Sequence, residues 1–141
     1  MQTDIMNALG GRQVFGPGSH PIDLMKEVER GLPTKSYSVI AKALELTPEE
    51  EDRLLQVSLR TRARWKQRMR LDPAISDRLV RLARILALAE KVLERHTNAV
   101  AWLREPSDAF NGRTPLELMT TDVGAEKVTN TLYQMEYGIY A

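Results

Sequence analysis

Cysteine is absent from the 141 residues, which excludes disulfides, thiolate nucleophiles and Cys-ligated zinc at once. Histidine is scarce: only His20 and His96 occur, far apart and with no serine or acid at motif spacing, so the sequence indicates neither a metal cluster nor a hydrolase triad. No apolar run approaches the ~20 residues that a membrane span needs, and the N-terminus lacks the charged-then-apolar layout of a secretory signal. A Walker-type phosphate loop is missing too. Gly10-Gly11 and Gly16-Pro17-Gly18 follow no strand pattern, and carboxylate pairs such as Glu90/Glu94 arise on helical surfaces by chance. These absences predict a cytoplasmic protein that is not an enzyme, needs no cofactor or metal and does not enter a membrane.

What is present is charge, sharply segregated. A net charge of +1 conceals five acids between 45 and 52 (Glu45, Glu49, Glu50, Glu51, Asp52) and then six bases between 60 and 70 (Arg60, Arg62, Arg64, Lys66, Arg68, Arg70). Neighbouring segments of opposite sign predict one helix that faces water and a next one that faces a polyanion. A hydrophobic fraction of 43% suits one compact domain or two small subdomains sharing a core.

Stop signals divide the chain. Residues 1–20 carry the glycine pairs and are expected to form a loose N-terminal arm. A helix is expected from Pro21 to about Arg30, ended by Gly31, and another over Tyr37–Leu46 with Ser36 as N-cap. Thr47-Pro48-Glu49-Glu50 reads as a capping box with proline in the first turn. A basic helix starts after Ser58, and a long helix opens at Asp72-Pro73 and runs to about Arg95. Shorter helices follow at Asn98–Arg104, Pro115–Met119 and Val123–Tyr137, with Gly138 just past the last. No segment alternates as a strand, so the fold class is all-α. The domain reading is an arm (1–20), a helix-turn-helix region (21–71) and a long helix with a C-terminal helical domain (72–141).

The break Leu54-Leu55-Gln56-Val57-Ser58-Leu59 between the acidic and basic helices has helix-turn-helix spacing. At 100° per residue, Arg60, Thr61, Arg64 and Arg68 fall within about 100° of one another, with Leu59 and Ala63 on the other side. One face would pack while the other offers guanidinium forks to guanine edges. Arg62, Lys66 and Arg70 would flank it as phosphate contacts, and Ser58, just before the helix, belongs to the same DNA-binding set. The segment resembles the Xre/Cro class of helix-turn-helix, with Gln56 at the turn position where glycine is common. The competing reading is a basic helix that is merely solvated or serves an acidic protein. Trp65 reads as packing rather than as a base-stacking platform.

In the long helix, Ile75, Leu79, Leu82, Leu86, Ala89 and Leu93 recur by steps of four and three, a coiled-coil seam, while Val80, Ala83, Ile85, Leu88 and Val92 form a second apolar face. Two apolar faces need two covers. One cover is this chain; the other is either more of the same chain or a second copy. The expectation is a homodimer through Leu79, Leu82 and Leu86.

The C-terminal thirty residues are the most distinctive. Gly112-Arg113-Thr114-Pro115-Leu116-Glu117-Leu118, then Asp122-Val123-Gly124-Ala125-Glu126-Lys127-Val128, then Glu136-Tyr137-Gly138-Ile139-Tyr140-Ala141 resembles the toxin-binding domain of Xre/MbcA/ParS-type antitoxins, and a looser similarity reaches back to about Gly31. The resemblance implies an antitoxin that blocks a RES-domain, NAD-consuming toxin and represses its own operon through operator DNA. It places toxin contacts at Arg113, Tyr137, Gly138, Ile139, Tyr140 and Ala141. The alternative is a stand-alone helix-turn-helix regulator or adaptor without a toxin partner.

Overall fold

The computed structural model describes residues 2–17 and 23–138. Among them are ten α-helices and two 3-10 turns, with isolated bridges Pro33–Arg70 and Ser107–Arg113 but no strand. No helix is long and apolar enough to cross a membrane. The chain divides into two compact units, 1–84 and 85–141, so the division falls inside the long helix.

In the first unit, α1 (Gln2–Ala8) and α2 (Gly11–Phe15) are separated by Gly10, whose φ is +119°. A Cβ there would lie 2.1 Å from Val14 Cγ2, so only glycine makes this corner. Ile5, Met6 and Leu9 are buried, and Ser36 Oγ donates to the Leu9 carbonyl at 2.8 Å. The expectation of a loose arm is therefore corrected over residues 2–15. The glycines make a tight turn between two helices, and Ile5, Met6 and Leu9 are the apolar stripe that anchors them. Residues 18–22, where the next helix was expected to begin, lie outside the described residues, His20 and Pro21 among them.

Helix α3 (Leu24–Arg30) starts at an Asp23 cap and stops at Gly31, where a Cβ would lie 2.0 Å from the Leu71 carbonyl oxygen. That close approach lets two chain segments join. Leu71 N donates to Leu32 O at 2.8 Å and Thr34 N to Met69 O at 3.0 Å. Beside them the buried hydroxyl of Ser76 accepts from Leu32 N at 2.7 Å. Helix α4 spans Thr34–Ala43, three residues earlier than expected. Ser36 is not its N-cap but an interior residue, because its hydroxyl is committed to Leu9.

Helix α5 (Pro48–Leu55) has the expected capping box, Thr47 and Glu50 each satisfying the other's backbone N–H, and Gln56 ends it in the left-handed region at φ 56°. Helix α6 (Leu59–Arg64) is capped by Ser58 and lasts only 6 residues before a 3-10 turn, Trp65–Gln67. Leu32, Ile40, Leu44, Leu54, Leu55, Trp65 and Leu79 are buried in this unit, each fully buried aliphatic side chain contributing about 1.5–3 kcal/mol relative to exposure.

Helix α7 (Pro73–Leu93) is 21 residues long and ends where Glu94 takes φ 72°. Most of both its apolar faces is out of water in the single chain: Leu79 and Leu82 are 0% exposed and Leu86 is 2%, while Val92 and Leu93 near its end are half-buried. The expected dimer seam at Leu79, Leu82 and Leu86 is thereby corrected, since side chains already out of water have no surface to offer a second copy. A homodimer would have to form through other residues.

In the second unit, α8 (His96–Leu103) is followed by a 3-10 turn, Asp108–Phe110, then α9 (Pro115–Leu118) and α10 (Asp122–Glu136). Thr114 and Thr121 cap α9 and α10 by accepting from Glu117 N and Gly124 N. Gly124 sits against the end of α9; a Cβ there would be 1.9 Å from the Leu118 carbonyl oxygen. Leu103, Phe110, Leu116, Met119, Val128 and Leu132 make the core, with Trp102 edge-on to Phe110.

Candidate nucleic-acid and protein interfaces

The basic run divides between inside and outside. Arg62 is 5% exposed; its Nε lies 3.1 Å from Glu51 Oε2 and its Nη1 bonds Asp52. It is therefore a buried ion-pair residue, not the phosphate contact expected of it. Two of the acids on α5 neutralise the middle of the basic run, so the two charge blocks partly serve each other rather than separate partners. Nη2 of Arg62 is buried without a hydrogen-bond partner among the described residues. Removing Arg62 would leave the Glu51 carboxylate in a largely buried place without its cation.

With Arg62 and Trp65 inward, the rest of α6 turns outward. Arg60 and Arg64 are exposed as expected. Leu59 and Ala63 are exposed too, Leu59 at 66%, which corrects the assignment of these two to the packing face. The Glu51 and Asp52 carboxylates on α5 draw Arg62 inward, and that side of α6 packs in place of the one carrying Leu59 and Ala63. Ser58 and Thr61 are tied locally, Ser58 Oγ accepting from Thr61 N at 3.2 Å. Lys66 lies exposed on the 3-10 turn. Arg68 is past it, on extended backbone at φ −106°, and pairs with Asp72 at 3.4 Å. Since the helix ends at Arg64, the angular grouping of Arg68 with Arg60 does not hold. Arg70 is half-buried, donating to the Gly31 carbonyl at 2.8 Å. The outward cations here are Arg60, Arg64, Lys66 and Arg68, in a fork-and-point-charge arrangement suited to phosphates and guanine edges.

Behind this surface Trp65 is packed, as expected, edge-on against Tyr37 with ring centroids 4.9 Å apart. The Tyr37 hydroxyl donates to Glu51 Oε2 at 2.9 Å. Burial and then the Glu51 carboxylate push the Tyr37 pKa above its ordinary 10.0, because both disfavour the phenolate.

The second surface belongs to the second unit. Arg113 is exposed at the close of the Ser107–Arg113 loop, its Nε 3.5 Å from Glu117. Tyr133 and Tyr137 stack at the end of α10, centroids 6.3 Å apart and planes 10° apart. Tyr137 is 69% exposed, and Gly138 follows at φ 67°, the left-handed stop expected there. Ile139, Tyr140 and Ala141, expected at the toxin, lie outside the described residues. No group of acids and histidines able to hold a metal occurs among the described residues. His96 Nδ1 instead lies 2.6 Å from Glu90 Oε2 at the surface.

Comparison with known proteins divides the chain in the same way. Residues 23–84 match the antitoxin Xre-like helix-turn-helix domain. Residues 88–138 match the antitoxin Xre/MbcA/ParS C-terminal toxin-binding domain. A relative described as "Antitoxin Xre", from Pseudomonas putida, is 37% identical over 94 residues, which cover 66% of this chain and 58% of that protein.

Proposed function

The chain belongs to the Xre/MbcA/ParS-type antitoxin family, a family of regulators rather than enzymes, and from that premise we propose that it is the antitoxin of a toxin–antitoxin pair whose toxin is a RES-domain enzyme. Consumption of NAD belongs to the toxin, and this chain contributes occlusion. The observation that carries the reading is the Tyr133–Tyr137 stack at the end of α10, with Tyr137 69% exposed inside the matched toxin-binding segment. An aromatic side chain held outward next to a glycine stop is an amphipathic anchor for a concave protein site. Arg113, Gly138, Ile139, Tyr140 and Ala141 complete the proposed contact.

The same chain represses its operon through α6. Arg60 and Arg64 reach base edges, Lys66 and Arg68 hold phosphates, and Ser58 and Thr61 fix the start of the helix at the duplex. Arg62 has no part in this, being sequestered with Glu51 and Asp52. Co-expression with the RES-domain protein encoded by a neighbouring gene, scored by growth, tests the reading. A chain that binds operator DNA but gives no rescue is a stand-alone regulator instead.

A further inference from the structure

The first unit holds a cavity of ≈ 770 Å³, within the range of small-molecule sites, about 300–1,000 Å³. Pro48, Leu59, Trp65 and Met69 supply apolar wall, and Lys35, Lys66, Arg68 and Arg70 also line it. We propose that this cavity binds an amphipathic organic anion, an acid group carried on an aromatic or aliphatic body, and that its occupancy opposes DNA binding by α6.

Three features point there. Met69 is 88% exposed and Leu59 66%; as cavity-lining residues they are apolar surface that an aromatic or aliphatic body would remove from water. The aromatic wall is rigid, because Trp65 is 4% exposed and braced edge-on by Tyr37. The charge of the lining is one-sided: five cations, counting Arg62, against the single carboxylate of Glu51. That carboxylate is already met by Arg62 Nε at 3.1 Å and the Tyr37 hydroxyl at 2.9 Å. Arg68 and Arg70 are met by Asp72 and Glu27, each at 3.4 Å, so Lys35 and Lys66 carry the positive charge left over in the lining, and the acid group of a ligand finds them while its body lies on the apolar wall.

The regulatory half follows from position. Leu59, Ala63 and Lys66 line the cavity and also belong to the outward surface of α6 and the turn after it, so ligand and duplex compete for one surface. This half rests on the DNA-reading role proposed above, whereas the binding half does not.

The full chain carrying Trp102→Phe keeps Trp65 as its single indole, and 1-anilinonaphthalene-8-sulfonate serves as the probe. Exciting Trp65 should give saturable energy transfer to one bound probe per chain. Affinity should fall about tenfold or more in Lys35→Glu, Lys66→Glu, and uncharged N-phenyl-1-naphthylamine should bind about tenfold more weakly than the sulfonate. Circular dichroism confirms that each variant is folded. The probe should also release a labelled operator fragment over the concentration range in which it fills the cavity. Non-saturable transfer means an adventitious additive only and overturns the site, as does affinity indifferent to the lysine reversals or to the charge of the probe. Saturable binding that leaves the operator fragment bound overturns the competition alone. A chain that binds the probe but no operator fragment overturns the DNA role of α6 and leaves the site standing.

Discussion

Arg62 Nε lies 3.1 Å from Glu51 Oε2, which places the middle of the most basic stretch of the chain inside the protein. The ion pair bridges α5 and α6 and fixes how α6 is rolled. With the Arg62 side of the helix turned inward, the arc carrying Leu59, Ala63, Arg60 and Arg64 is turned out.

Breaking that pair should cost stability, not just charge. Arg62→Ala should lower unfolding free energy by about 3–5 kcal/mol, as loss of one partner of a buried pair does. Arg60→Ala and Arg64→Ala should stay within about 0.5 kcal/mol of the parent. Urea denaturation followed by circular dichroism compares the three; equal effects would mean that Arg62 is not structural.

The same variants separate folding from recognition. Arg60→Ala or Arg64→Ala should each weaken operator binding by about 1–3 kcal/mol. Lys66→Ala should weaken binding to every sequence and reduce the slope of log affinity against log salt by about one. Fluorescence anisotropy with specific and scrambled duplexes reads both quantities. Unchanged operator affinity in the Arg60, Arg64 double variant would remove these residues from base reading.

Legibility followed locality. The Thr47/Glu50 capping box, proline at the start of α5 and the turn at Gln56 were all readable, because a cap or turn is decided by residues within four of it. The stop at Gly138 and the packing of Trp65 were readable for similar reasons. Arg62 was not, because its place depends on carboxylates 10 and 11 positions earlier that a helical wheel of α6 does not include. The ordering of residues 2–15 depended on Ser36 and the Leu9 carbonyl, 27 positions apart. The apolar stripes of α7 were read correctly as buried, but periodicity alone does not say whether the cover is the same chain or another.

That last distinction is measurable. Leu82 is 0% exposed, so Leu82→Glu puts a carboxylate where no water reaches and should unfold the chain rather than split a dimer. Circular dichroism with light scattering decides: loss of helix without a folded lower-mass species is expected. A fully helical Leu82→Glu chain at half the parent mass would restore the seam.

Alkaline stability should report Tyr37. Its pKa is raised in the folded protein by burial and by Glu51. The stabilisation is therefore present below about pH 10, the unfolded value, and is lost as pH rises through the folded value. Unfolding free energy should fall more steeply above that pH in the parent than in Tyr37→Phe. Parallel curves for the two would mean that the phenol is not held neutral by its surroundings.

Co-expression with the RES-domain toxin, scored by growth, tests the central claim most directly. The parent and the Arg60→Ala, Arg64→Ala variant should both restore growth, because neutralisation does not pass through α6. A chain lacking Gly138 to Ala141 should remain folded and operator-binding yet fail to rescue. Full rescue by that shortened chain, or none by the parent, would contradict neutralisation through the end of the toxin-binding domain.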